Sequence, residues 1–319
     1  MSIEIASFAE ADSQRWDDFC ATAINGSFLH SRRFLSYHGD RFDDLSLMIF
    51  DSGKLVGVLP AALSPADATQ VVSHPGITYG GIVHDGKLVG MKMLAALSAV
   101  SEWYRRLGYG SLLYKALPHI YARAPAQDDL YALFRLGATR VRCDLSCAMD
   151  LAARLERSER RKRSFKKANA SVAVSDEQHL MEPLWQVLEE NLVRKHGARP
   201  VHTMAELALL RERFPQHITV LCALIDGQVE AGVVFFNSSS VWHAQYIAAS
   251  AKAYDVAALD AVFEAGIVRA REAGVRYFDF GTSNEEGGMI LNDGLYRFKS
   301  EFGAAGVAHE FFELRFHHE

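Results

Sequence analysis

Cysteine, proline and long apolar runs are scarce in this chain of 319 residues, which has four cysteines and eight prolines. The cysteines form no C-x-x-C pair and have no histidine at zinc spacing, so no metal site is predicted. No run approaches the roughly 18 apolar residues that a membrane-spanning helix requires. The N-terminus lacks the basic start and apolar core of a signal peptide. We therefore predict a reduced, cytoplasmic protein without a membrane span.

A net positive charge is also missing, since the chain carries −5 overall, which argues against general affinity for nucleic acid. The segment 154–167, RLERSERRKRSFKK, departs from this average with eight basic and two acidic residues. It predicts a basic helix in which Leu151, Leu155 and Phe165 form a narrow apolar stripe. This helix is either a solvated face with internal salt bridges or a surface for a nucleotide, a lipid headgroup or tRNA.

Most signatures of a protein kinase are absent, although Asp279-Phe280-Gly281 spells the tripeptide that binds magnesium in kinases. The chain has no G-x-G-x-x-G loop, no V-A-I-K strand lysine and no H-R-D catalytic loop. Because phosphoryl transfer needs these parts together, we interpret the tripeptide as the end of a core strand in another fold.

What the sequence does contain is a plan of strands and helices that occurs twice. Residues 45–63 and 218–236 each read as a hairpin of two apolar strands around a tight turn. The first hairpin is followed by a predicted strand at 79–83 and a helix at about 91–107, and the second by a helix at about 256–273. Glycine follows both helices and supplies the left-handed conformation that ends them.

This repeated order resembles the core of the GNAT acyltransferase fold. The stretches YIAAS, GVRYFDFGTS and NDGLYRFKSEFG, within residues 246–303, resemble the FemAB-like branch of that superfamily, in which two GNAT-like domains occur in tandem. SFLHSRRFLSYHG, YGGIV, RRKRSFKKA and NLVRKHGARPVHT agree with it. The resemblance implies an α/β (α+β) fold with domains at 1–152 and 153–319, the second opening with the basic helix. Each domain is expected to have a mixed, mostly antiparallel sheet flanked by helices.

The resemblance also implies an activity. An acyl or aminoacyl group would pass from an activated ester or thioester to an amino group of a cell-envelope or nucleotide-linked sugar or peptide precursor. No permanently bound cofactor is implied; the donor would be a co-substrate such as aminoacyl-tRNA, an acyl carrier protein or acetyl-CoA. The acceptor is expected to be a small, phosphate-bearing molecule. The alternatives are an acetyl-CoA-dependent N-acetyltransferase of an amino sugar in polysaccharide assembly, and a non-catalytic binding protein on the same fold.

The loop that holds the CoA pyrophosphate in ordinary GNAT enzymes, R/Q-x-x-G-x-G/A, is not found in either half. Its glycines allow the phosphates to approach backbone N–H groups at a helix N-terminus. Residues 250–257, SAKAYDVA, contain no glycine, and HDGKLVGMK in the first half lacks the required Arg or Gln. We therefore predict weak or no binding of CoA.

Three residues are predicted to be catalytic. The lysine of RFKSEFG, Lys299, is associated with the transfer site in FemAB-like proteins; otherwise it is an exposed lysine on a terminal strand. Asp279, at the carboxyl end of a predicted strand, either accepts a proton or caps the following turn. Tyr246 and His243 lie on the strand that parts from its neighbour in GNAT folds. Period-two alternation points them to opposite faces, and we predict that Tyr246 lines the cleft.

Residues from both halves are predicted to bind substrate. Lys195 and His196 follow a helix expected to end near Val193, where basic side chains also suit the negative helix end. Asn292 belongs to a glycine-containing loop before Lys299 that is either a substrate cover or a surface turn. The remaining candidates are Tyr79, Gly80 and Arg163.

Overall fold

The computed structural model describes residues 3–197 and 199–316, without the side chains of Lys195 and His196. Up to β8 the helices and strands are β1 Ile3–Ser7, α1 Ser13–Thr22, α2 Arg32–Leu35, β2 Leu47–Asp51, β3 Lys54–Leu59, β4 Ala62–Leu63, β5 Gln70–Val72, β6 Val83–His84, α3 Met91–Arg106, β7 Ser111–Lys115, α4 Asp128–Arg135 and β8 Thr139–Asp150. They are followed by α5 Glu159–Asn169, β9 Ala173–Ser175, α6 Met181–His196, α7 Met204–Arg213, β10 Ile218–Ile225, β11 Gln228–Asn237, β12 Val241–Ala249, α8 Ala251–Asp255, α9 Ala258–Glu272, β13 Tyr277–Thr282, β14 Asn284–Glu285, β15 Ile290–Leu291, α10 Asp293–Ser300 and β16 Ala305–Arg315.

The chain forms two compact units. The first consists of Met1–Leu145, Asn284–Ile290 and Ala308–Glu319, and the second of Ser146–Ser283 and Leu291–Val307. Both contain strands in mixed, mostly antiparallel arrangements together with helices, which confirms the predicted fold class.

In the first unit, the predicted hairpin is formed by β2 and β3, joined through Ser52 and Gly53 with φ of +52° and +75°. β1, β2, β3 and β6 form one sheet, and β4, β5, β7 and β16 are neighbours in another. α3 begins at Met91 and is followed by Gly108 with φ of +88°, as predicted. The predicted strand 79–83 is wrong, because Gly81 has φ of +79° and the strand begins only at Val83.

In the second unit, β10 and β11 form the other predicted hairpin, and the strand order is β13, β12, β11, β10, β9. β12 and β13 are parallel, while β13 pairs antiparallel with the part of β8 from Ser146 to Asp150. Phe235, Phe263, Phe278 and other buried apolar side chains pack between this sheet and α9. This core fixes the positions of β12 and β13.

Three helices of the second unit have other bounds than predicted. The basic helix α5 begins at Glu159, where the side chain of Ser158 accepts a hydrogen bond from a first-turn N–H, so Leu151 and Leu155 are not part of it. α6 continues past Val193 to His196. The predicted helix 256–273 begins at 258, because Ala257 has φ of +57° and separates it from α8.

Candidate active site

The parallel strands β12 and β13 are paired over a short length. Val241, Trp242 and His243 pair with Tyr277, Phe278 and Asp279, and the ladder ends there. β12 continues for six residues beyond His243, to Ala249, without a further pair on β13. The two strands therefore part directly after His243 and Asp279, which is the parting that the resemblance to GNAT folds implies.

A β-bulge on β12 changes which side chains share a face. Tyr246 lies opposite Val234 and Ala244 opposite Phe235, so Gln245 is an extra residue without its own partner. Such a residue interrupts the period-two alternation. His243, opposite Phe236, and Tyr246 consequently lie on the same face of β12, and the prediction that they point to opposite faces is wrong.

His243 and Asp279 are bonded through their side chains. Nδ1 of His243 lies 2.9 Å from Oδ2 of Asp279. The carboxylate is completely buried, whereas the His243 side chain keeps 13% of its surface exposed. Oδ1 of Asp279 accepts hydrogen bonds from the hydroxyl of Ser146 and from the N–H of Gly281, the latter at 2.9 Å. Asp279 is thus the buried centre of a polar chain that reaches the surface at His243.

Lys299 lies on α10 and not on a terminal strand, so the alternative of an exposed strand lysine is wrong. It is 2% exposed, and its Nζ donates to the carbonyl oxygens of Gly281 at 2.9 Å and Thr282 at 2.7 Å. Burial lowers the pKa of Lys299 to about 8, while the nearby charge of Asp279 acts in the opposite direction. The ammonium group therefore holds the end of β13 and lies within electrostatic range of the Asp279 carboxylate.

Tyr246 is surrounded by polar and aromatic partners. Its hydroxyl accepts from the N–H of His202 and bonds to the Nδ1 of the same residue. The ring makes an edge contact with Trp185, at 5.2 Å between centroids. Burial raises the pKa of Tyr246 to about 12. This hydroxyl is therefore suited to orienting a ligand and poorly suited to accepting a proton near neutral pH.

The predicted substrate-binding residues have varied surroundings. Tyr79 is buried in the first unit, with its ring 4.4 Å from that of Tyr121. Gly80 passes so close to Ser73 that a Cβ would lie 1.9 Å from the Ser73 carbonyl oxygen, which is a structural reason for glycine there. Asn292 caps α10, where its side chain accepts from a first-turn N–H. The side chains of Lys195 and His196 lie outside the described residues.

The basic helix α5 divides into paired and unpaired cations. Arg161 is buried and forms two hydrogen bonds with Asp260, and Arg160 pairs with Glu301. Lys162 pairs with Glu156 and Glu159. Across the described residues, the basic side chains of α5 that are exposed and have no ion pair are Arg163, Lys166 and Lys167. A phosphate-binding surface on this helix would depend on these three side chains.

Two broader properties concern the described residues as a whole. In the two stretches that the structure describes, no group of three or more His, Cys, Asp or Glu side chains is arranged to hold a metal ion. Within the same stretches, no helix is long and apolar enough to cross a bilayer.

Ser146 and His243 take part in the site although the sequence predicted neither as functional. Ser146 hydrogen bonds to a residue 133 positions away, and no local pattern marks such a pair. His243 is level with Asp279 on the neighbouring parallel strand, and the sequence did not predict this pairing.

Residues 150–300 match the model of a family described as the acetyltransferase (GNAT) domain. Several solved structures are similar to nearly the whole chain, and FemX is among them. FemX is 11% identical, with 98% of this chain and 97% of that chain covered and a TM-score of 0.70. The C-terminal DUF2156 domain of a putative lysylphosphatidylglycerol synthetase from Agrobacterium fabrum is 15% identical, with 95% and 91% covered and a TM-score of 0.64.

The third is a tandem GNAT protein from the clavulanic acid biosynthesis pathway, 11% identical, with all of both chains covered and a TM-score of 0.54. At such identities the likeness shows the fold alone. No curated protein has a matching sequence.

The match over residues 150–300 is to a GNAT acetyltransferase domain, and the strands that part after His243 and Asp279 lie within the matched residues. Over nearly the whole chain the fold is similar to those of FemX and of a tandem GNAT protein, which confirms the predicted fold of two GNAT-like domains in tandem.

Proposed function

We propose that the protein transfers an acyl or aminoacyl group from an activated ester or thioester to an amino group of a cell-envelope or nucleotide-linked sugar or peptide precursor. The observation that carries this proposal is the parting of β12 and β13 directly after His243 and Asp279. In GNAT folds the acyl group enters between these two strands. Here the same place is lined by a histidine that is hydrogen bonded to a buried carboxylate.

The choice of an aminoacyl donor is supported by the fold likeness to FemX and to a putative lysylphosphatidylglycerol synthetase. The name of the second protein, lysylphosphatidylglycerol synthetase, contains a lysyl group and a phospholipid. An acceptor that carries phosphate is compatible with Arg163, Lys166 and Lys167, the exposed cations of α5, because phosphate groups bind unpaired basic side chains.

The N-terminus of α9 argues against a CoA-type donor. GNAT enzymes bind the CoA pyrophosphate at a helix N-terminus with N–H groups exposed by glycines. In this chain Asp260 occupies the first turn of α9, is 2% exposed and is bound by Arg161. The carboxylate already uses the positive end of the helix dipole.

The proposal can be tested by incubating the purified protein with each donor class and with amino-bearing acceptors. The donors are aminoacyl-tRNA, acylated carrier protein and acetyl-CoA, and the acceptors are nucleotide-linked sugars and peptides; mass spectrometry detects the product. We expect an acceptor mass gain equal to one aminoacyl or acyl residue with a donor other than acetyl-CoA.

Lys299→Met should lower the rate at least tenfold, because the loss of its charge leaves the end of β13 unsupported. Lys54→Met, at an exposed hairpin lysine of the first unit, is the matched control and should keep full activity. Acetylation of an amino sugar by acetyl-CoA alone would support the N-acetyltransferase alternative instead. No transfer from any donor would favour the non-catalytic binding protein.

A further inference from the structure

We propose that His243 is the general base of the transfer reaction and that Asp279 is the residue that positions it. This inference rests on the proposed function, since a base is needed only if an amine attacks the donor. It assigns a role to a residue that the sequence had placed on the face opposite the predicted cleft residue Tyr246.

The first support is the place of the pair in the sheet. His243 and Asp279 are the last paired residues of β12 and β13 before the strands part. An acyl group held between the parted strands would have its carbonyl carbon next to this point. A base must lie within hydrogen-bonding reach of the attacking amine, and the His243 ring is the titratable group that keeps partial exposure at this position.

The second support is the tautomer that the hydrogen bond selects. Because the Asp279 carboxylate accepts from Nδ1, that nitrogen carries the proton and Nε2 is left as the basic nitrogen. The carboxylate is held in place by the Ser146 hydroxyl and the Gly281 N–H. The ammonium of Lys299 favours its ionised form. A histidine oriented by a buried carboxylate is a recurring arrangement for general bases.

The other titratable groups near this point are poorer bases. Tyr246 has its pKa raised to about 12 by burial, and burial raises the pKa of the Cys147 thiol to about 12 as well. Lys299 is buried, with its Nζ donating to two carbonyl oxygens. Neither the phenol nor the thiol would be ionised near neutral pH, and a lysine so bound has no lone pair directed at a substrate.

The step balances without an added reactant. The lone pair of a neutral amine attacks the donor carbonyl carbon while Nε2 of His243 takes one proton from the amine nitrogen. Collapse of the tetrahedral intermediate breaks the carbon–oxygen or carbon–sulfur bond, and the imidazolium returns the proton to the departing oxygen or sulfur. The products are an amide and a free hydroxyl or thiol, and His243 ends in its starting state.

The first experiment measures the transfer rate against pH for the wild type and three variants, using the donor and acceptor pair found active in the mass assay. His243→Gln should lower the rate roughly a hundredfold or more and remove the acidic limb of the profile. Asp279→Asn should lower it similarly, because its amide turns the ring to the other tautomer. His217→Gln is the control, since the Nδ1 of His217 bonds to a backbone carbonyl oxygen, and it should retain the wild-type profile.

Lys299 and Cys147 are charged or titratable groups near Asp279, so the profile of Lys299→Met is measured alongside to identify the contribution of Lys299. An unchanged acidic limb in folded His243→Gln would overturn the proposal.

The second experiment needs no substrate and therefore separates this inference from the proposed function. Imidazole ¹⁵N NMR of the wild type, with His243→Gln to assign the signal, reports the tautomer of the ring. We expect a protonated Nδ1 and an unprotonated Nε2 in the neutral ring, and a switch of tautomer in Asp279→Asn. Protonated Nε2 in the neutral wild-type ring would overturn the inference even if transfer activity were found.

Discussion

Lys299 is a buried lysine, with only 2% of the residue exposed to solvent. Two backbone carbonyl oxygens accept from its Nζ, and the charge of Asp279 attracts it. These contacts do not fully offset desolvation, because the pKa is still lowered to about 8. The residue therefore carries a cost in stability at neutral pH that an apolar side chain of similar length would not carry.

This cost predicts a pH dependence. In the unfolded chain a lysine has a pKa of about 10.4, so between about pH 8 and that value the folded state loses the Lys299 proton first. The free energy of unfolding of the wild type should therefore rise relative to that of Lys299→Met across this window, by up to about 3 kcal/mol. Urea unfolding at several pH values measures the difference.

Lys54→Met is the control, because Lys54 is exposed and should show no such trend. A constant difference between wild type and Lys299→Met from neutral to alkaline pH would mean that the ammonium is not desolvated as described.

At the scale of the element, α5 combines two roles that its composition cannot distinguish. Its buried cation, Arg161, is 6% exposed and joins α5 to α9 through Asp260. The exposed cations Arg163, Lys166 and Lys167 point to solvent. The same residue type thus stabilises the fold on one side of the helix and leaves free positive charge on the other.

We expect Arg161→Met to lower the free energy of unfolding by about 3–5 kcal/mol, because Asp260 is left as a buried charge without its partner. Arg163→Met should change it by no more than about 0.5 kcal/mol, as is usual for an exposed side chain. Chemical denaturation of both variants measures this contrast. Equal losses would show that Arg163 also has a structural partner.

The β-bulge explains why the site was predicted less well than the strands that carry it. Apolar strands around tight turns predicted both hairpins, because these depend on neighbours along the chain. The extra residue at Gln245 interrupts the alternation without any change in composition, so His243 was assigned to the wrong face. Strand existence is a local property, whereas the face of a side chain after a bulge depends on the partner strand.

At the scale of the whole molecule, the two hairpins and the helices α3 and α9 were predictable because each turn and each helix end has a glycine or aspartate signal. Contacts between distant segments were not. Ser146 and Asp279 are 133 residues apart, and Lys299 was predicted to be functional only through the resemblance of its motif. The architecture was therefore more accessible from sequence than the hydrogen bonds of the site.

The donor prediction concerns the whole chain. A ligand at about a hundred times its dissociation constant stabilises a protein by roughly 2.7 kcal/mol, which raises a melting temperature by several degrees. Because Asp260 occupies the α9 N-terminus, acetyl-CoA should leave the melting temperature unchanged in a thermal-shift assay. ADP controls for unspecific phosphate binding. A rise with acetyl-CoA and none with ADP would instead give the N-acetyltransferase alternative priority.

The extra residue at Gln245 also makes this strand tolerant of a change in chain length at one position. Deleting Gln245 would restore strict alternation and leave every other residue of β12 on the face that it has now. Ala244, Ile247 and Ala249 would still face the core, while Tyr246 would stay on the other face. We therefore expect this deletion to keep cooperative unfolding, as calorimetry would show. Deleting Gln245 and Tyr246 together would instead turn Ile247 and Ala249 outward and should abolish it.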